Sequence, residues 1–149
     1  YLSPMKEYTL FSLRTMTLTC LAALMTTGML RAEDDHTPLE ETMEQTSDAI
    51  KSLRKIDEND WVALAEAARK AADGIRKGME FIPLLIKDMP DGKEKTKAIA
   101  DYRRMMGLSY ASLAELELAY LEEDEEKVDE AMKKVKAGKK EGHKKYSDD

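Results

Sequence analysis

Residues 99–120 read IADYRRMMGLSYASLAELELAY. Ile99, Tyr102, Met106, Ser109, Leu113, Leu116 and Tyr120 recur in alternating steps of three and four. That spacing lines one face of an α-helix, with polar residues on the other. Downstream, a further segment begins near Asp124 and carries Val128, Met132, Val135, Lys139, His143 and Tyr146 at the same spacing. Upstream, Met89-Pro90-Asp91-Gly92 is a loop, and Pro83 ends or kinks whatever helix precedes it.

Before Pro83, Trp61, Leu64, Ala68, Ala71, Ile75, Met79 and Ile82 share a face, with Asp60 as the N-cap. The run Asp57-Glu58-Asn59-Asp60 separates this segment from an earlier one, in which Leu39, Met43, Thr46, Ile50 and Leu53 form the seam. Thr37-Pro38 supplies a cap and a first-turn proline. No strand-like alternation and no 20–50-residue repeat interrupts the pattern. Four helices of roughly 18–29 residues joined by short polar loops predict an all-α fold, an antiparallel up-down-up-down four-helix bundle.

Composition agrees and narrows the function. The 149 residues are 42% hydrophobic, 36% charged and 6% aromatic, with 7 Gly and 4 Pro, which argues against a turn-rich sandwich or barrel. Thirty acidic against 24 basic residues give a net charge of −6, the wrong sign for a phosphate-binding face, so nucleic acid is not an expected partner. One cysteine excludes a disulfide framework and a cysteine-rich zinc site.

Residues 1–32 differ from the rest. Met5 is a reasonable start, Lys6 and Arg14 are basic, and Met16 to Leu30 carries no charge. Fifteen residues are short for a membrane span, which needs about 20, and suit the core of a signal peptide. The expectation is an export signal over residues 1–32, removed at about Ala32, and a helical domain over residues 33–149. An uncleaved membrane anchor is the rival, and Leu18-Thr19 before Cys20 do not suit lipidation. The exported domain has no cysteine, is more acidic than the whole chain, and needs no membrane after cleavage.

In such a bundle the start of the first helix and the end of the fourth lie at one end. Met43 sits roughly 8–9 Å into its helix at 1.5 Å per residue, and His143 lies near the end of its own, so the two can share a depth. A thioether and an imidazole facing each other can form the axial pair of a six-coordinate haem iron. Gly138 and Gly142, one turn apart, each cost about 1 kcal/mol in a helix and would leave room for a flat macrocycle. Lys139 can reach a propionate while its stem covers apolar surface. Each observation also has a plainer reading: a seam methionine fills a core, and a histidine near a helix C-terminus complements the dipole.

Leu39-Glu-Glu-Thr-Met43-Glu resembles the L-E-x-x-M-E opening of the cytochrome b562 family, and His143-Lys-Lys-Tyr146 resembles its closing H-x-K-Y. Asp101-Tyr102-Arg103 is similar to the D-F-R of the family's third helix. The likeness covers most of residues 37–147. It implies a periplasmic protein holding one non-covalent haem b, with Met43 and His143 as iron ligands and Tyr102, Met106, Lys139 and Gly142 around the macrocycle. Met106 and Tyr102 stand where the family carries pocket phenylalanines, Lys139 stands for an arginine, and the second helix with its loop is several residues longer. No C-x-x-C-H is present for covalent attachment.

The resemblance implies one-electron transfer without enzymatic turnover, to redox partner proteins whose basic docking face would suit the acidic surface. The alternative is a haem-free periplasmic bundle that binds or chaperones through Met- and Leu-rich faces. An enzyme is the least supported class. A di-iron bundle needs Glu-x-x-His on two helices, which these helical segments do not offer, and His36 beside Asp34 and Asp35 makes a poor metal site. No phosphate loop or nucleophile motif is present. The oligomeric state stays open.

Overall fold

The computed structural model describes residues 37–146. The expected leader, Cys20 and His36 lie outside the described residues, as does the end of the chain after Tyr146. Among the described residues there are helices and no strands: α1 (Pro38–Ser52), α2 (Trp61–Gly78), α3 (Leu84–Lys87), α4 (Lys93–Leu121) and α5 (Glu125–Tyr146). None of these helices is long and apolar enough to cross a membrane.

The starts of the helices follow their caps. The Thr37 hydroxyl accepts from the Glu40 amide at 3.2 Å, and the Glu40 carboxylate accepts from the Thr37 amide, a reciprocal capping box. Asp60 caps α2 through the Ala63 amide, and Asp124 caps α5 through the Lys127 amide, both at 3.1 Å. Gly92 opens α4 at φ 153°, a conformation an L side chain resists.

Two bounds differ from the sequence reading. The first helix has 15 residues, followed by a 3-10 turn, Leu53–Lys55. The second stops at Gly78 rather than running on to Ile82. Proline at 83 disfavours helical geometry at residue 82 and supplies no amide of its own. The chain resumes after it as the four-residue α3, which gives five α-helices among the described residues where the sequence reading had four.

The order of packing is α1 on α2, α2 on α4, α4 on α5. Each pair is antiparallel. Thr46 meets Gly74 and Met43 meets Gly78 across α1–α2; Gly78 meets Met106 and Trp61 meets Tyr120 across α2–α4; Asp101 meets Lys145 and Glu115 meets Lys134 across α4–α5. The core runs along α2 and α4, through Ala68, Ala71, Ile75, Tyr102, Leu113, Leu116 and Tyr120. Leu113 and Leu116 are fully buried, each contributing about 1.5–3 kcal/mol by leaving water. α2 sits between α1 and α4, and its alanines at 65, 67, 68, 71 and 72 are the small side chains that such a position accepts. α1 and α5 are not a closely packed pair, so the seam between them is the loosest in the fold.

Candidate functional site

Three helices converge on Gly78, the last residue of α2. A Cβ built there would lie 2.5 Å from the Met43 Cε of α1 and 2.9 Å from the Met106 Cε of α4. Two methionine methyls therefore fill the space a side chain would take. Tyr102, one turn before Met106, donates its hydroxyl to the Gly78 carbonyl at 3.2 Å. Burial pushes its pKa up to about 12, so the phenol remains a donor at ordinary pH. The Tyr102 ring meets Tyr146 of α5 edge to face, centroids 5.4 Å apart.

The end of α5 is tied to α4 through one carboxylate. Asp101 accepts hydrogen bonds from Lys145, from the Tyr146 hydroxyl at 2.6 Å and from Arg104 at 3.0 Å. The Lys145 ammonium, then Tyr146 and Arg104, hold its carboxyl well below the usual carboxylate range. Tyr146 is pushed up to about 12, by desolvation and by the hydrogen bond it gives to Asp101. This anchor fixes the turn that carries His143.

Across the loose seam, Lys139 donates to the Ser47 Oγ of α1 at 3.4 Å. The antiparallel pairs make α1 and α5 antiparallel as well. Met43 lies one turn before Ser47, and His143 one turn after Lys139. The two expected ligands therefore stand at a similar height on antiparallel helices, with the Met43 methyl seated against Gly78 of α2 and the His143 ring exposed.

The side chains differ in setting. Met43, Met106 and Tyr102 gather around Gly78, with Met43 half-buried and the other two buried. His143 and Lys139 are exposed on α5. The two α5 glycines also part company. A Cβ at Gly138 would meet the Ser109 Oγ at 3.3 Å, so that glycine lets α5 approach α4. A Cβ at Gly142 would meet nothing within 4 Å, so only Gly142 leaves open space. Among the described residues no three His, Cys, Asp or Glu side chains converge on a metal position. The soft donors at this end of the molecule include the Met43 and Met106 thioethers and the His143 imidazole.

Sequence reasoning missed Gly78 and the anchoring role of Asp101. The signal for the first was present as Gly74 and Gly78, two glycines one turn apart on an alanine-rich helix, where small residues let a neighbour come close. The signal for the second was weak, because an exposed-looking aspartate has no mark of its partners 44 and 45 residues away. No protein-family model matches the chain, and neither a curated protein nor a solved structure matches it.

Proposed function

We propose that this protein is a periplasmic electron carrier of the cytochrome b562 type, a four-helix up-down-up-down bundle holding one non-covalent haem b between α1 and α5. The observation that carries the reading is the shared height of Met43 and His143 across a seam that closes less tightly than the others. The residues fit the group. A soft thioether and an imidazole stand on opposite flanks, Gly142 leaves space beside one of them, and buried Tyr102 and Met106 form an apolar floor. Bound haem b would supply one-electron cycling between ferric and ferrous iron.

This chain's own residues have separate tasks. Met43 turns its thioether from Gly78 toward the seam, a motion its three unbranched torsions allow. His143 swings in from solvent on a turn that Asp101 holds in place. Lys139 offers an ammonium to a carboxylate at the seam's edge. With Met43 and His143 both holding it, the bound group would supply electron transfer and would leave no site for a substrate, as suits a carrier rather than an enzyme. The net charge of −6 favours a partner with a basic docking face. Lysines 139, 140, 144 and 145 beside His143 direct that face toward the acidic α4–α5 turn instead.

Haemin titrated into purified protein tests the reading. One equivalent is expected to give a sharpened Soret band, and reduction a six-coordinate low-spin spectrum. Met43→Leu preserves core volume and is expected to fold while losing that reduced spectrum; His143→Ala is expected to lose it too. No Soret change with the parent protein, or an unaltered spectrum in both variants, refutes the proposal.

The exposed His143 ring and the Met43 methyl seated on Gly78 favour a second reading, a haem-free helical bundle that binds other proteins. It predicts no spectral response to haemin, and a His143→Ala variant indistinguishable from the parent.

A further inference from the structure

The opposite end of the fold holds a crevice of about 760 Å³ where the 3-10 turn and its following loop, α2, α4 and α5 meet. It lies about 25 Å along α2 from Gly78, at 1.5 Å per residue. Its floor is apolar and aromatic. Trp61 and Tyr120 face each other there, centroids 6.3 Å apart and planes tilted by 46°. Leu53, Ile56, Leu64 and Val128 complete it. Its rim is acidic, with Asp57, Glu58, Glu125 and Asp129 set against the single cation Arg54.

Two further features distinguish the crevice from a patch of surface carboxylates. Glu58, Glu125 and Asp129 form no ion pair among the described residues. Tyr120 is only 6% exposed, lines the crevice, and its hydroxyl makes no hydrogen bond among the described residues. That hydroxyl is not sealed from solvent, so it is free to hydrogen-bond a ligand in the crevice. The exposed part of the half-buried Trp61 ring can meet a cation, the floor takes a hydrophobic body, and the phenol and carboxylates accept from an N–H donor.

We propose that this crevice binds an amphipathic organic cation, a primary ammonium carried on an alkyl or aryl body of roughly six to ten carbons. The carboxylate rim attracts the charge from solution, and Trp61 and Tyr120 select for the apolar body behind it. A neutral isostere keeps only the apolar contribution, and an anionic one meets repulsion.

Trp61 is the only tryptophan in the chain, so its emission reports on this site directly. Hexylammonium, hexanol and hexanoate are titrated in turn into the purified full chain without haemin, following Trp61 fluorescence. Hexylammonium is expected to saturate, with hexanol at least fivefold weaker and hexanoate weaker still. The Glu125→Gln/Asp129→Asn double variant alters exposed side chains and is expected to fold by circular dichroism. It should lose at least threefold in hexylammonium affinity and none in hexanol affinity. Absence of saturation, a smaller preference for the ammonium, or a smaller loss in the variant overturns the proposal. If the variant does not fold, the comparison of the three ligands on the parent chain decides alone.

Discussion

Gly142→Ala separates the haem reading from a plain bundle because it moves two quantities in opposite directions. A Cβ at residue 142 would meet nothing within 4 Å in the protein itself. The substitution therefore stabilises the haem-free fold through helix propensity alone. That gain is about 1 kcal/mol in a helix interior and less here, one turn from the end of α5. With a macrocycle lying against that turn, the same methyl becomes an intrusion. Inserting a methyl into a filled space costs about 1–3 kcal/mol, which is about 5- to 150-fold in haemin affinity. The assay pairs thermal or urea unfolding of haem-free protein with haemin titration by absorbance. Gly107→Ala is the control, since residue 107 also has nothing within 4 Å and lies on α4 rather than on α1 or α5. It should raise stability and leave haemin affinity unchanged. If Gly142→Ala raises stability and haemin still binds as tightly, the ligand does not lie in the seam beside α5.

Gly74→Ala should destabilise by about 1–2 kcal/mol in urea despite its better helix propensity, because its Cβ would lie 2.1 Å from the Thr46 Oγ1 and 3.4 Å from the Thr42 carbonyl. Glu123 occupies the left-handed region at φ 54°, and the Asp124 amide donates to the Ala119 carbonyl beside it, so Glu123→Gly should stabilise by about 1 kcal/mol in the same assay. Asp101 has a depressed carboxyl, so its contribution is present above the ordinary carboxylate pKa of about 4 and is lost as pH falls below it. Protection of the last-turn amides of α5, taken relative to the intrinsic exchange rate at each pH, should therefore fall in acid, and Asp101→Asn should show that lower protection already at neutral pH. Tyr102 and Tyr146 are both raised to about 12, so their stabilising effect holds below the ordinary tyrosine pKa of about 10 and fades as pH climbs from there. Absorbance at alkaline pH should show at least two of the six tyrosines ionising late, and Tyr146→Phe should remove one of them.

The helical class was legible because the α4 seam is nearly ideal. Tyr102, Met106, Leu113, Leu116 and Tyr120 sit at helical spacing and all are buried. The caps at Thr37 and Asp60 were equally plain, since each needs only a short polar side chain before an apolar run, and the last helix was placed as starting near Asp124, which caps it in the structure. The stop at Gly78 was not legible to the residue. Met79 and Ile82 continue the apolar period past the point where Pro83 makes the helix untenable, so pattern and sterics disagree across four residues. At the candidate site the resemblance put Met43, Tyr102 and Met106 around one haem, whereas in the structure the three gather around Gly78. The sequence reading also assigned Gly138 and Gly142 one purpose, whereas Ser109 stands over the first and nothing stands over the second. A glycine records that a side chain is unwelcome and does not record what excludes it.

Met43 is where the two readings of this end of the molecule compete physically. In the fold described here its methyl fills the space over Gly78 together with Met106. Withdrawing the thioether toward the seam removes one methyl from that space, a loss of about 1 kcal/mol. Met106 Cε lies against the same glycine and is flexible enough to recover part of it. His143 makes no buried contact that it would have to break, because it begins exposed. Bringing both donors to a common centre therefore costs little more than two side-chain rearrangements. The antiparallel register, through Ser47 and Lys139, has already removed the larger cost of moving one helix along another. A histidine that only complemented the α5 dipole would need no partner at its own height on α1, and would tolerate a slip of one turn between the helices. A ligand pair would not, since one turn is about 5.4 Å, more than twice a typical metal–nitrogen bond of roughly 2 Å. The register of α5 against α1 is thus the property on which an axial pair depends and to which a dipole cap is indifferent.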